Sequence, residues 1–153
     1  MAGKYKRAES RARYFIRKVA KEKGWDIRHP QRGGDVLEEQ EVDYVESLGI
    51  GQKRPDFLFC IGGVPAMVIE AKNDSSKADE AILQAEGYCD TINEVGNYQI
   101  KIAVGVAGEP DRGYIVKVKF LKNGCWVDLL AKGYPLTAIP SKKECINAIK
   151  EDD

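Results

Sequence analysis

The chain has 153 residues, 43% of them hydrophobic and 31% charged. That is the length of one ordinary domain, with a composition that is neither disordered nor membrane-like, and no apolar run approaches the roughly 18 residues of a membrane span. The 24 basic and 24 acidic side chains cancel, which excludes a purely electrostatic coat for nucleic acid but not a local site.

Charge is nonetheless segregated. Residues 1–23 hold nine Lys or Arg against Glu9 and Glu22, whereas residues 33–52 hold Asp35, Glu38, Glu39, Glu41, Asp43 and Glu46 and no base. Such blocks are either two solvated faces or a phosphate-facing helix beside a carboxylate cluster. Within the basic block, Tyr5, Ala8, Ala12, Phe15, Ile16 and Val19 recur near helical spacing and Gly24 suits the position after a helix end. Residues 5–23 are therefore predicted as a basic amphipathic helix. The segment has no apolar stretch of the kind a signal peptide needs.

Residues 25–54 read as irregular, with one short helical turn around Asp43–Ser47. Phe57–Ile61 and Pro65–Ala71 are apolar runs flanking Gly62-Gly63, the pattern of a β-hairpin. Ala78–Ile92 carries Ala81, Ile82, Ala85, Tyr88, Cys89 and Ile92 on one side and is read as a helix. Ile100–Ala107 resembles a buried strand, and Tyr114–Leu121 with Cys125–Leu130 flank Asn123-Gly124 as a second hairpin. Ser141 and Glu144 fit a capping box that opens a last helix. The order α-β-β-α-β-β-β-α predicts an α/β fold, a mixed central β-sheet flanked by helices, in a single domain over 1–153. Cys60, Cys89, Cys125 and Cys145 show no metal or redox spacing, so they read as reduced, mostly core thiols of a cytoplasmic protein.

The chemistry concentrates in Arg54-Pro55-Asp56-Phe57 and Val68-Ile69-Glu70-Ala71-Lys72, at the ends of the two strands of the first hairpin. With a clean two-residue Gly62-Gly63 loop, Ile61 faces Val64 and Asp56 opposes Ile69, pointing away from Glu70, because successive side chains alternate faces. One extra residue, as a longer turn or a bulge, sets Asp56 opposite Glu70 with Lys72 on the same face. Like charges so opposed are unfavourable unless compensated, and a divalent cation such as Mg²⁺ suits one or two carboxylates. Taken singly, Pro-Asp is also a common turn signal and Glu-x-Lys a common solubilising strand end.

Pro55-Asp56, followed after thirteen intervening residues by Glu70-Ala71-Lys72, resembles the signature of the PD-(D/E)xK nuclease superfamily. Gln84-Ala-Glu-Gly-Tyr88 is similar to the Gln-x-x-x-Tyr element of its restriction members. Glu9-Ser-Arg-Ala-Arg13 through Gly24-Trp25 resembles the first helix of type I restriction R-subunit N-terminal domains and of fused restriction–modification proteins. The resemblance covers residues 9–92; residues 110–153 carry no placeable motif.

The resemblance implies a restriction-endonuclease-like core and Mg²⁺-dependent hydrolysis of DNA phosphodiester bonds, with Mn²⁺ able to substitute. Asp56, Glu70 and the backbone carbonyl of Ala71 would hold the metal, and Lys72 would position the attacking water and steady the developing charge. Glu9 stands open between a further metal ligand and a solvent-exposed helix glutamate. Gln84 would orient Lys72 or contact a phosphate, and Tyr88, one turn on, is either a DNA contact or ordinary packing. Arg7, Arg11, Arg13, Arg17 and Lys18 would meet DNA phosphates, which positions the duplex without reading its sequence. His29 is assigned a structural or exposed place, and Gly33-Gly34 lacks the residues of a phosphate-binding P-loop.

The expected partners are DNA and further domains or subunits of a restriction–modification complex (motor, methyltransferase, specificity), with no membrane. Two alternatives stay open from sequence: a stand-alone repair or junction-cleaving nuclease of the same fold, and a non-catalytic DNA-binding module. The intact Asp56, Glu70 and Lys72 weigh against the second.

Overall fold

A computed structural model describes residues 3–152, with side chains from Arg11 onward. Its central element is a six-stranded sheet in the order β1-β2-β3-β4-β5-β6. The strands are β1 (Val36–Glu38), β2 (Phe57–Ile61), β3 (Val64–Lys72), β4 (Ile102–Glu109), β5 (Gly113–Lys122) and β6 (Cys125–Asp128). Only the β3–β4 pair is parallel, and α2 (Ala78–Val95) joins those two strands. A parallel neighbour needs such a crossover, which is why β3 is followed by a helix and not by a turn.

Both sheet faces are covered, so β2, β3 and β4 are apolar at nearly every position. One face carries Phe57, Phe59, Met67, Ile69, Ile102 and Val104 against Ala12, Ile16 and Ala20 of α1 (Gly3–Glu22) and Cys145 of α3 (Lys142–Asp152). The other carries Leu58, Cys60, Val68 and Ala103 against Ile82, Ala85, Cys89 and Ile92 of α2. Alternation along each strand sorts these residues. α2 can lie this close because β4 has Gly105 beneath it, where a Cβ would stand 2.5 Å from the Ile82 nitrogen.

The expected elements are present, with additions. β1 is a three-residue strand in the stretch read as irregular, and the helical turn expected at Asp43–Ser47 is instead a 3-10 segment at Glu39–Tyr44. The run Cys125–Leu130 divides: β6 ends at Asp128, and a two-residue strand β7 (Leu130–Ala131) pairs with β8 (Tyr134–Pro135). The Asn123-Gly124 turn joins β5 to β6 with Lys122 facing Cys125. The Ser141–Glu144 box closes in both directions, at 2.8 and 3.0 Å. Cys60, Cys89 and Cys145 are buried, Cys125 is exposed, and all four are free thiols. No helix among the described residues is long and apolar enough to cross a membrane.

The first hairpin decides the site. Ile61 faces Val64 across a two-residue turn in which Gly62 and Gly63 have φ of 60° and 80°, the left-handed pair that such a turn requires. The register then shifts: Cys60 faces Pro65, but Phe59 faces Met67 and Phe57 faces Ile69. Ala66 is the extra residue. The insertion sits in β3, not in the turn, and it carries the register that places Asp56 against Glu70.

Candidate active site

Asp56 lies just ahead of β2, at the sheet end where β3 runs out. The preceding loop is fixed by Arg54, whose Nε and Nη2 donate to the two oxygens of Asp43 at 2.9 and 2.7 Å. Beyond it, the Glu39 N–H donates to the Asp56 carbonyl at 3.2 Å. The Asp56 N–H donates to Glu70 Oε2 at 2.6 Å, and the Ala71 N–H donates to Asp56 Oδ2 at 2.8 Å. The two acids are thus brought together by reciprocal backbone bonds, as the shifted register requires.

Glu70 is only 6% exposed. Burial, and then the charge of Asp56, push its carboxyl up to about 8. Asp56 is also raised by burial, although the Ala71 N–H and the Arg13 charge pull it back. Two carboxylates held this close, one of them nearly out of water, form a site that ionises reluctantly without a cation. Among the described residues no group of three or more His, Cys, Asp or Glu is placed to hold a metal ion by itself. A hard divalent ion bound by one or two carboxylates, with a backbone carbonyl and water completing its shell, fits such a donor set. The oxygens present are of that kind.

Lys72 ends β3 with its ammonium 4.0 Å from Glu80 Oε2, a loose contact, and its side chain is about a quarter exposed. Tyr88 is half-buried on α2 against the second apolar cluster. Its hydroxyl is raised by burial and then by the charges of Glu70 and Asp56, so it lies within electrostatic reach of both acids. Gln84, one turn earlier, is exposed, and its side chain makes no hydrogen bond within the described residues. His29 caps the turn at Pro30–Arg32, accepting from the Gln31 N–H at 2.9 Å, and packs edge-on against Tyr44.

The profile of one protein family, described as type I restriction enzyme R protein N terminus (HSDR_N), matches residues 35–118, more than half of the chain. The chain belongs to that family. No curated relative and no solved structure matches it. The matched segment of this type I R-protein N-terminal domain runs from just before β1 to the middle of β5 and contains Asp56, Glu70, Lys72, Gln84 and Tyr88.

The basic helix of this R-protein domain divides its charges in a way the charge block alone did not suggest. Arg11 and Lys18 are exposed, as expected of phosphate contacts. Arg13 is instead 7% exposed, and its Nη2 stands 2.8 Å from both Asp56 Oδ1 and Glu39 Oε1. Arg17 donates from Nε and Nη2 to both oxygens of Glu38 at 2.8 and 3.1 Å. In this arrangement both guanidiniums are engaged by carboxylates of the same protein. The helical period carried the signal: Arg13 and Arg17 adjoin the buried stripe Ala12–Ile16–Ala20, whereas Arg11 and Lys18 lie opposite it. Sequence reading also left out Glu38 and Glu39, which close this network from the end of β1. The Glu9 side chain lies outside the described residues.

Proposed function

We propose that this domain is a DNA endonuclease dependent on Mg²⁺, with Mn²⁺ able to replace it, acting within a cytoplasmic restriction–modification complex. The observation that carries this is the Ala66 register shift, which sets Asp56 and Glu70 against each other at the mouth of two adjacent strands. Asp56, Glu70 and the Ala71 carbonyl would hold the ion. When bound, a divalent cation lowers the pKa of a coordinated water and offsets phosphate charge. Lys72, on the same face as Glu70, turns its ammonium from Glu80 toward the attacking water and the charge that develops on the phosphate. Gln84 and Tyr88 would act from α2, Tyr88 from within electrostatic reach of both acids, and Arg11 and Lys18 present unburied cations to the duplex backbone, fixing position without reading bases. Sequence choice and motor function then belong to other domains or subunits, with this domain the nuclease part of a larger protein.

The test is nicking or linearisation of plasmid DNA by the purified protein, alone and with its restriction–modification partners, in Mg²⁺, in Mn²⁺ and in EDTA. Cleavage that needs the metal and disappears in Asp56→Ala is expected. Cleavage that survives both EDTA and Asp56→Ala would overturn the assignment, as would its absence in every assembly of the wild-type protein.

A further inference from the structure

We infer that Arg13 is the resident counter-cation of the Asp56–Glu70 pair, holding the site together before a divalent ion arrives and competing with that ion for Asp56. This rests on the reading of Asp56 and Glu70 as the cation ligands. The geometry begins with the two oxygens of Asp56. Oδ2 is committed to the Ala71 N–H at 2.8 Å, and Oδ1 receives Arg13 Nη2 at the same distance. The oxygen left facing an incoming ion is the one the guanidinium already touches.

Arg13 is built into this place. Its Nη2 also lies 2.8 Å from Glu39 Oε1, its Nη1 lies 3.8 Å from Glu38 Oε1 and 3.5 Å from the Asp56 carbonyl, and its Cζ sits 5.6 Å from the centre of the Phe57 ring. Glu39 reaches it from a left-handed backbone, φ 46°, a conformation a non-glycine residue adopts only where its surroundings impose it. Several carboxylates and one aromatic face thus converge on a single guanidinium at the edge of the site. A neighbouring positive charge stabilises the ionised acids while no ion is bound and repels a divalent ion once it enters.

Both effects act in the same direction on affinity. Removing the charge destabilises the metal-free protein and relieves repulsion in the loaded one, so metal binding must tighten. A residue that merely shaped Asp56 would do the reverse, because its loss would leave the ligand disordered.

The experiment is Mn²⁺ titration by calorimetry, at one pH, of wild-type protein, Arg13→Gln, Arg13→Lys and Arg17→Gln, with melting curves in EDTA. Arg13→Gln keeps a donor for Asp56 without the charge. It should bind Mn²⁺ about tenfold or more tightly, since a like charge a few ångströms away has been removed, and should melt several degrees lower in EDTA. Arg13→Lys should return toward wild-type affinity. Arg17→Gln, which loses contacts to Glu38 alone, should leave the Mn²⁺ affinity unchanged. An Arg13→Gln protein that folds only with Mn²⁺ present would be the extreme form of the same result. Equal or weaker Mn²⁺ binding by Arg13→Gln would overturn the inference and leave the metal-site reading standing. Binding that is absent from wild-type protein, or that persists in Asp56→Asn, would remove the metal-site reading and the competition with it.

Discussion

Asp56 and Glu70 are held by each other's strands: the Asp56 N–H donates to Glu70 Oε2 at 2.6 Å, and the N–H beside Glu70, that of Ala71, donates to Asp56 Oδ2 at 2.8 Å. Neither carboxylate can turn away from the other without breaking a backbone hydrogen bond. Their repulsion is therefore fixed by the hairpin, and what relieves it must be a proton or a cation.

The proton gives the first prediction. Burial and Asp56 raise the Glu70 carboxyl from 4.5 to about 8, so the folded protein holds this proton more tightly than the unfolded chain does. The stability this confers is complete below pH 4.5 and is lost as pH rises through about 8. Melting temperatures measured in EDTA across that window should fall for the wild-type protein. Glu70→Gln, which keeps an acceptor for the Asp56 N–H but has no proton to lose, should fall less steeply. Mn²⁺ should lift the wild-type curve most at the alkaline end, because binding displaces the proton. Parallel curves for the two proteins in EDTA would show that Glu70 does not titrate in this way.

Lys72 separates chemistry from metal binding. Its ammonium contacts Glu80 only loosely, at 4.0 Å, so its loss should leave the fold and the Asp56–Glu70 oxygens in place. Lys72→Ala should bind Mn²⁺ within a few-fold of wild type yet cut DNA roughly 10²–10³-fold more slowly, the usual loss when one group that stabilises transition-state charge is removed. Calorimetry and plasmid cleavage on the same preparation check both halves. A variant that cuts at the wild-type rate would free Lys72 of any role in the reaction.

The two kinds of basic residue on α1 should separate in a salt titration. Arg11 and Lys18 are exposed, whereas Arg17 is engaged by Glu38. Replacing both Arg11 and Lys18 with Ala should weaken DNA binding and flatten the dependence of log affinity on log salt by roughly 2, since each lost phosphate contact removes about 0.9 from the slope. Stability should change by no more than about 0.5 kcal/mol. Arg17→Ala should do the opposite, leaving the slope and lowering the melting temperature slightly, because a partly exposed ion pair contributes about 1 kcal/mol at most.

Much of this site was legible in the chain. Strand parity made Asp56 and Glu70 partners on condition of one extra residue, and Ala66 meets that condition. Its position was not legible, because a bulge needs no particular residue type and a Gly-Gly turn invites the insertion to be placed there. β1 escaped because three residues are too few to show a period. The burial of Arg13 against Asp56 was hidden for a different reason. A block of like charges suggests one outward face, and only the angular relation to Ala12, Ile16 and Ala20 separates the cations that flank the core from those that oppose it. Glu39 could not be read from sequence at all. Its left-handed φ of 46° follows from tertiary contacts with Arg13 and Asp56.

Two glycines on opposite sides of the α2–sheet contact provide the last prediction. At Gly105 on β4, a Cβ would stand 2.5 Å from the Ile82 nitrogen and 2.8 Å from its Cα. Those are backbone atoms, so no side-chain rotation relieves the clash. Gly105→Ala must push α2 from the sheet, at a cost of about 1–3 kcal/mol typical of overpacking, and must shift Tyr88 relative to the acids. At Gly87, on the exposed side of the same helix, an added Cβ meets nothing within 4 Å. Gly87→Ala should stabilise the protein by about 0.5–1 kcal/mol, through better helix propensity and a less mobile unfolded chain. Urea melts of the two variants should therefore move in opposite directions from wild type, with only Gly105→Ala altering the fluorescence of half-buried Trp126, whose Nε1 donates to Asp90 of α2 at 3.0 Å. If Gly105→Ala melts with the wild-type protein, α2 does not rest on β4 as closely as 2.5 Å implies, and the placement of Tyr88 beside Glu70 loses its support.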